Sequence, residues 1–258
     1  MTRLQRRPSR RRFLARATAF ASAAWLAGCD RLSRTEWLPK VLNTVEPLNE
    51  GIAKAVGRNA MAQEFTEADL SPTFRSNGTA DPGTAEYNAW VASGFVDYRL
   101  AVAGMVASPR QFSLAQLRAL PARTQITRHD CVEGWSAIAK WKGVPLSAIL
   151  DLVQPQPGSR YVMFYCADAM TKDGSEIYYE SIDLDDAVHP QTILAYDMND
   201  AALPVPNGAP LRLRVERQLG YKHAKYITAI AVVDSFAGIA GGKGGYWEDH
   251  GYQWWAGI

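Results

Sequence analysis

Cysteine is scarce in this chain of 258 residues: three are present, at positions 29, 131 and 166. So few cannot build the disulfide scaffold of a small secreted domain. Four histidines, His129, His189, His223 and His250, are scattered along the sequence, which argues against a histidine-rich metal cage. No stretch reaches about 18 uninterrupted apolar residues, so no segment reads as a membrane-spanning helix. Several chemical signatures are also missing. There is no G-x-G-x-x-G opening a helix, no P-loop, no G-x-S-x-G, no H-E-x-x-H, no C-x-x-C and no C-x-x-C-H. Their absence removes the common nucleotide-binding, serine-hydrolase, zinc-protease, dithiol and covalent-haem readings.

What remains is an ordinary globular composition, 47 % hydrophobic with 21 % charged and 10 % aromatic residues, enough for a sizeable core. The charge is unevenly placed. Arg3, Arg6, Arg7, Arg10, Arg11, Arg12 and Arg16 crowd the first 28 residues, which hold no Asp or Glu. Without those seven, 21 basic residues face 26 acidic ones, a net −5. A body of that sign offers no phosphate-tracking face, so nucleic acid is not an expected partner. The segment Ser9-Arg10-Arg11-Arg12-Phe13-Leu14, followed by small and apolar residues to Leu26, has the form of a twin-arginine signal peptide. That route carries folded proteins, which suits a cofactor inserted before export. Leu26-Ala27-Gly28-Cys29 then resembles a lipobox, so lipidation of Cys29 and a periplasmic, lipid-anchored protein are expected.

Three regions follow: a signal peptide over 1–28, a lipidated tether over 29–70 with a helix over 47–56 closed by Gly57, and one domain over 71–258. Residues 71–97 read as irregular coil, being rich in Pro, Gly, Asn and Thr. Beyond them β-type runs dominate, at 98–106, 123–128, 160–166, 176–182, 192–196, 211–215 and 226–233. Short helical patterns interrupt them at 113–120, 145–153 and 184–188, with Ser113 a good N-cap. Strands separated by only short helices predict an α+β domain, mostly β, rather than a doubly wound parallel sheet. The stretch from Gly238 is Gly- and Trp-rich without periodicity.

Two segments could carry chemistry. In Arg128-His129-Asp130-Cys131-Val132-Glu133-Gly134-Trp135-Ser136, a strand ends and a turn begins, a place where a soft metal could approach a thiolate. Arg128 and His129 beside Cys131 would favour the thiolate by their positive charge. A disulfide between Cys131 and Cys166 is the other reading of the same residues. In the second segment, Asn207-Gly208-Ala209-Pro210-Leu211-Arg212 makes a tight turn into a strand, and Gly220-Tyr221-Lys222-His223-Ala224-Lys225 follows. Arg212, Arg214, Arg217, Lys222 and Lys225 gather there, able to hold a phosphate or to line a solvated strand face.

Taken together, the two segments and the intervening Trp141-x-Gly143-Val144-Pro145-Leu146 resemble the molybdopterin domain of sulfite-oxidase-like oxidoreductases. The nearest branch is that of the periplasmic methionine sulfoxide reductase catalytic subunits. The likeness runs from about residue 74 to 233. It implies a single molybdopterin-binding domain in which Cys131 is the catalytic thiolate ligand to molybdenum. It also implies that Asn77, Cys166, Asn207, Arg212, His223, Ala224 and Lys225 contact the molybdenum–molybdopterin cofactor, with 223–225 around its phosphate end. Cys166 stands where the reductase branch carries Thr, so it either lines the cofactor pocket or packs as a small apolar residue, and the insert over 167–175 is shorter than in that branch. The implied reaction is oxygen-atom transfer, namely reduction of a small-molecule or protein-bound S-oxide. Its electrons would come from a separate membrane haem protein or cytochrome. Sulfite-type oxidation with a cytochrome acceptor, and a metal-free lipoprotein binding module, are the competing functions. With no space for an appended dimerisation domain, a monomer is expected.

Overall fold

In a computed structural model of the chain, residues 35, 37–57 and 60–258 are described. The twin-arginine segment and the lipobox with Cys29 lie outside them. The chain divides into two compact units, Met1–Val56 and Gly57–Ile258.

The described part of the first unit is helix α1, Trp37–Gly57. It starts well before Pro47, where the sequence suggested a helix would open, and carries Pro47 inside it. Trp37, Val41, Val45, Leu48 and Ile52 recur at helical spacing and are all exposed. On another face Lys54 pairs with Glu50 one turn earlier, at 2.5 Å. Among the described residues no helix is long and apolar enough to cross a membrane.

The second unit is built on two sheets. The first has the order β2-β1-β10-β5-β6, with β1 Arg99–Gly104, β2 Arg110–Ser113, β5 Tyr161–Ala169, β6 Ile177–Asp183 and β10 Ile227–Val233. Only β1 and β10 run parallel in it; the other pairs are antiparallel. The second sheet runs β3-β4-β7, with β3 Arg123–Cys131, β4 Trp135–Pro145 and β7 Ile193–Met198. The short strands β8, Ala201–Ala202, and β9, Arg212–Arg214, both pair with β7. Helix α2, Ala85–Ala92, precedes β1, and three short helices join the strands: α3 Leu114–Ala119, α4 Leu146–Val153 and α5 Leu184–Ala187. A fifth, α6 Tyr246–Asp249, follows β10. This is the α+β, mostly β architecture expected from short helices among many strands.

Local sequence explains most of these elements. Ser113 caps α3 through a capping box with Gln116, each side chain satisfying the other's backbone N–H. In α4, Leu146, Ile149, Leu150 and Val153 recur at helical spacing and are buried, while Asp151 on the other side is exposed. The main core joins Leu100, Leu117, Val144, Leu146, Ile149, Phe164, Ile227, Ile230 and Val232. Each such side chain, fully buried, contributes about 1.5–3 kcal/mol. A smaller cluster of Ala139, Trp141, Ile193, Ala195, Met198 and Leu203 packs with Phe74 against the second sheet.

The structure departs from the sequence expectations in three places. β4, eleven residues long, carries Ala137, Ala139 and Gly143 at buried positions, and these weak β-formers hide a real period-two alternation. α2 forms inside the expected coil because Thr84 caps it, accepting from the Tyr87 N–H at 3.2 Å. The compact unit also begins earlier than position 71. The Phe65 N–H donates to the Ile126 carbonyl at 2.8 Å, and Gln191 brackets Ala62 through both its amide atoms, so residues 60–70 are held against β3 and its surroundings.

Candidate active site

Cys131 is the final residue of β3, and the turn that follows is closed by the Gly134 N–H donating to the Cys131 carbonyl at 3.0 Å. The strand end thus delivers the sulfur to an open cleft enclosing about 670 Å³, part of it continuous with solvent. Asn77, Asp168, Tyr178, Tyr221, His223 and Lys225 share that cleft, with Trp247 and Tyr252 on its rim side. Cys131 and Cys166 are both free thiols, so the disulfide reading does not hold. Burial pushes the Cys131 thiol up, opposed by the backbone N–H of Glu133 and by the Arg212 guanidinium. The charges expected to act from Arg128 and His129 do not do so. Arg128 is exposed and paired with Asp130 at 2.9 Å, and burial among cations drives the His129 pKa well down, leaving it neutral. A bound metal ion would supply the missing drive, since a coordinating thiol loses its proton outright.

The five cations singled out in the sequence divide into two groups. Arg214 forms a fully buried pair with Glu216 at 2.5 Å, itself held by Gln125 at 2.8 Å. Arg217 pairs with Asp186, and Lys222 is gripped by both Glu180 and Glu248 at 2.6 Å. Arg212 and Lys225 are as deeply buried, yet among the described residues neither has a carboxylate within salt-bridge reach. Their partners are neutral. Arg212 donates to Asn77 Oδ1 at 3.1 Å and to the Asn207 carbonyl at 3.3 Å, and its Nε has no partner. Lys225 reaches the Pro206 carbonyl at 3.2 Å and the Thr79 carbonyl. Burial, with repulsion from Arg214 on Arg212 and from Arg212 on Lys225, lowers their affinities for protons, Arg212 to about 9 and Lys225 to about 7. Two buried cations without counter-charges are costly unless an anion completes them.

The surrounding loops are shaped to leave that space. Asn207 ends a 3₁₀ turn, Val205–Asn207, that Gly208 closes with a φ of 112°. A Cβ on Gly208 would lie 2.9 Å from the Lys225 Cβ, so the turn can approach the lysine stem only with glycine there. Asn207 Nδ2 is buried and unpartnered. The Gly220 backbone approaches the His129 ring so closely that a Cβ would lie 2.6 Å from its Nε2. His129 Nδ1 faces Arg214 Nη1 at 3.0 Å, and since guanidinium only donates, the ring proton belongs on Nε2, a buried donor with no partner. His223 has the opposite polarity. Its Nε2 lies 3.0 Å from the Gln218 carbonyl and so carries the proton, leaving Nδ1 as an unpartnered acceptor facing the cleft.

The residues implied at the sequence level are therefore brought together in large part. Cys131, Asn77, His223 and Lys225 line one cleft; Arg212 and Asn207 stand directly behind Asn77. Ala224 is buried and accepts from the Leu213 N–H at 2.8 Å, a backbone role between β9 and this segment. Cys166 sits inside the main core, in register with Ile227, and is not among the cleft-lining residues. Sequence reasoning missed Asp168, Tyr178, Trp247 and Tyr252. Asp168 follows Phe164 and Cys166 on the inward face of β5, a period-two signal that could have found it. The residues after β10 gave no such signal; they reach the cleft because Glu248 is pinned by Lys222 and Asp249 by Tyr179.

Among the described residues no cluster of three or more His, Cys, Asp or Glu could hold a metal ion unaided. What the site offers instead is one thiol, two cations lacking counter-charges and unpartnered N–H groups on Asn207, Arg212 and His129, a donor set that fits a large anionic cofactor bringing its own sulfur ligands. Comparison with known proteins agrees. Residues 89–237 match the family model described as the oxidoreductase molybdopterin binding domain. A putative protein-methionine-sulfoxide reductase subunit YedZ1 of Azospira oryzae is 37 % identical over 97 % of this chain and 88 % of its own length. The catalytic subunit MsrP of protein-methionine-sulfoxide reductase from Ralstonia nicotianae is 33 % identical over 66 % of this chain and 53 % of its own; the chain thus spans about half the length of that relative. The sulfane dehydrogenase SoxCD of Paracoccus pantotrophus shares the fold, with a TM-score of 0.50 at 20 % identity over 69 % of this chain and 46 % of its own. The chain belongs to the family of oxidoreductases with a sulfite-oxidase-type molybdopterin-binding domain, and its cofactor is molybdenum–molybdopterin.

Proposed function

We propose that this oxidoreductase is exported to the periplasm, tethered there by a lipid on Cys29, and reduces a sulfoxide or related S-oxide with electrons from a separate membrane haem protein. The observation that carries the reading is the pairing of a strand-end thiol with unbalanced buried cations in one cleft, in a chain whose relatives bear the name of protein-methionine-sulfoxide reductases. The bound molybdenum–pterin group supplies two-electron oxygen-atom chemistry. The protein's own residues position it. Cys131 provides the thiolate ligand. Arg212 and Lys225 hold the anionic phosphate end, the first as a fork and the second as a point charge. Asn207 Nδ2 and His129 Nε2 are buried donors without partners beside the site, while neutral His223 Nδ1 accepts and therefore suits an N–H group of the pterin ring rather than its phosphate. Met170, Trp247 and Tyr252 belong to the apolar part of the cleft, where a thioether or sulfoxide side chain would find soft, polarisable contacts.

Purified holoenzyme assayed in both directions tests this, with reduced viologen and methionine sulfoxide on one side and sulfite with a cytochrome acceptor on the other. Sulfoxide turnover is expected. Fast sulfite oxidation with no sulfoxide reduction would reverse the direction of the proposal while leaving the cofactor in place. Cys131→Ala should retain the fold, by circular dichroism and melting temperature, and lose turnover entirely; full activity in that variant would remove the thiolate from the reaction. Mass spectrometry of the mature N-terminus reads the anchor: a diacylated Cys29 supports it, and a terminus elsewhere rejects it.

A further inference from the structure

Two groups lining the cleft are of the wrong sign for an anion site, Glu133 and Asp168; Glu133 is exposed and accepts from Trp135 Nε1 at 2.9 Å, whereas Asp168 is buried. Asp168 lies on β5, in the first sheet, whereas Cys131 ends β3 in the second, so the two line the cleft from different sheets. Its carboxyl is 3 % exposed, and Oδ1 has no hydrogen-bond partner. Every other strongly buried carboxylate near this end of the molecule has a partner of opposite charge: Glu216 has Arg214, and Glu180 and Glu248 share Lys222. Asp168 has none within salt-bridge reach among the described residues. A carboxyl buried without a partner of opposite charge costs several kcal/mol when ionised, so it keeps its proton to a higher pH than an exposed one.

We propose that Asp168 is the proton donor to the oxygen leaving the substrate. The idea rests on the sulfoxide reading above. Reducing a sulfoxide breaks one S–O bond and consumes two electrons and two protons, giving a thioether and water. The two electrons would be supplied by the reduced haem-class partner that the functional reading names. Asp168 delivers a proton to the departing oxygen from Oδ1, and the cleft, open to solvent, returns one to the carboxylate and supplies the second. The surroundings suit the task. Burial pushes Asp168 up to about 6, with Lys225 and the Thr79 side chain restraining the rise. Cys166 on the same strand, Tyr87 on α2, Tyr178 on β6 and Tyr226 also feel its charge, and burial raises all four, so they stay neutral across this range. Lys225 is the one cation among these neighbours, and with a pKa of about 7 it titrates jointly with Asp168. An acid poised near the working pH is the effective kind.

The experiment compares wild-type holoenzyme with Asp168→Asn and Asp168→Glu, reading three quantities on each. The first is molybdenum and pterin content. The second is the protonated-carboxyl C=O band in infrared difference spectra between pH 5 and 7.5. The third is the pH profile of kcat and KM for methionine sulfoxide with excess reduced viologen. The wild type should show a carboxyl band that disappears with a midpoint near 6, absent in Asp168→Asn. With normal cofactor content, the Asn variant should lose kcat by about 10²-fold or more, with KM held within about twofold and the decline of kcat above pH 6 abolished. Asp168→Glu should recover part of the rate. Two results would overturn the proposal alone, against a wild type that reduces sulfoxides. One is a reduced cofactor content with unchanged turnover per molybdenum, which would make Asp168 a tuner of Lys225. The other is full turnover in the Asn variant. A wild type that reduces no sulfoxide would defeat the functional reading itself and the proton donor with it.

Discussion

Arg214 and Arg212 are two residues apart on β9, equally buried, and differ in everything else. Arg214 closes on Glu216, and its charge is balanced within the protein. Arg212 meets only the neutral oxygens of Asn77 and Asn207, and its field reaches the cleft. The same split separates Lys222, clasped between Glu180 and Glu248, from Lys225 three residues later. Along the sequence the four look alike. What divides them is whether the fold returns a carboxylate from elsewhere, and that division sorts structural cations from ones available to a ligand.

Substitutions on either side of this division should therefore have different readouts. The largest expected effect on stability belongs to Lys222→Met, which strands two carboxylates in the interior. A loss of about 3–5 kcal/mol is expected, seen as a fall in the midpoint of chemical unfolding at pH 8. Burial holds Glu180 well above the ordinary carboxylate range even with the lysine present, so acidification should partly rescue the variant by neutralising a carboxyl. A variant as stable as the wild type would show that the clasp is not what holds α6. Arg212→Leu should behave in the reverse manner. With no carboxylate to orphan, the fold should survive, and the molybdenum content of purified protein should drop severalfold. Unchanged molybdenum would move Arg212 to the structural side of the division. The smallest effect concerns pH. In cofactor-free protein Lys225 has a folded pKa of about 7, below its unfolded value of about 10.4, so above pH 7 the unfolded chain binds more protons. Stability should then rise with pH in that window, by about 1 kcal/mol between pH 7 and 8, and this increment should vanish in Lys225→Met. Identical slopes in the two proteins would mean that Lys225 is charge-balanced after all.

How much of this could be read in advance depended on where each signal lies. Cys131 at a strand end, the Asn207–Gly208 turn and the cations after it are local patterns, and their spacing carried the family resemblance. The fold class followed from strand-like runs broken by short helices. β4 was hidden because Ala137, Ala139 and Gly143 alternate with polar residues yet are poor β-formers, the packing of Trp141 between Arg212 and Arg214 compensating for them. Asp168 was legible only as an inward position on β5, since its lack of a partner is a property of the tertiary surroundings. For Cys166 the family resemblance left two places open, the cofactor pocket or packing as a small apolar residue, and the structure places it in the core, in register with Ile227. Nothing periodic announces Trp247 or Tyr252, whose places follow from buried ion pairs and aromatic contacts made across the chain, such as Tyr221 against Tyr252 at 5.2 Å.

That clasp between Lys222 and Glu248 also sets an order of events in synthesis. Both sheets are complete once β10 has emerged from the ribosome, while Trp247 and Tyr252 have not. Until those residues arrive, the domain has its thiol and its unbalanced cations but not the part of the cleft that Trp247 and Tyr252 line. Two buried glutamates then compete for one lysine, and only one of them, Glu180, is already in place. Lys222 thereby ties a late segment of the chain to β6 of the first sheet, and the cleft wall that Trp247 and Tyr252 supply depends on that buried ion pair.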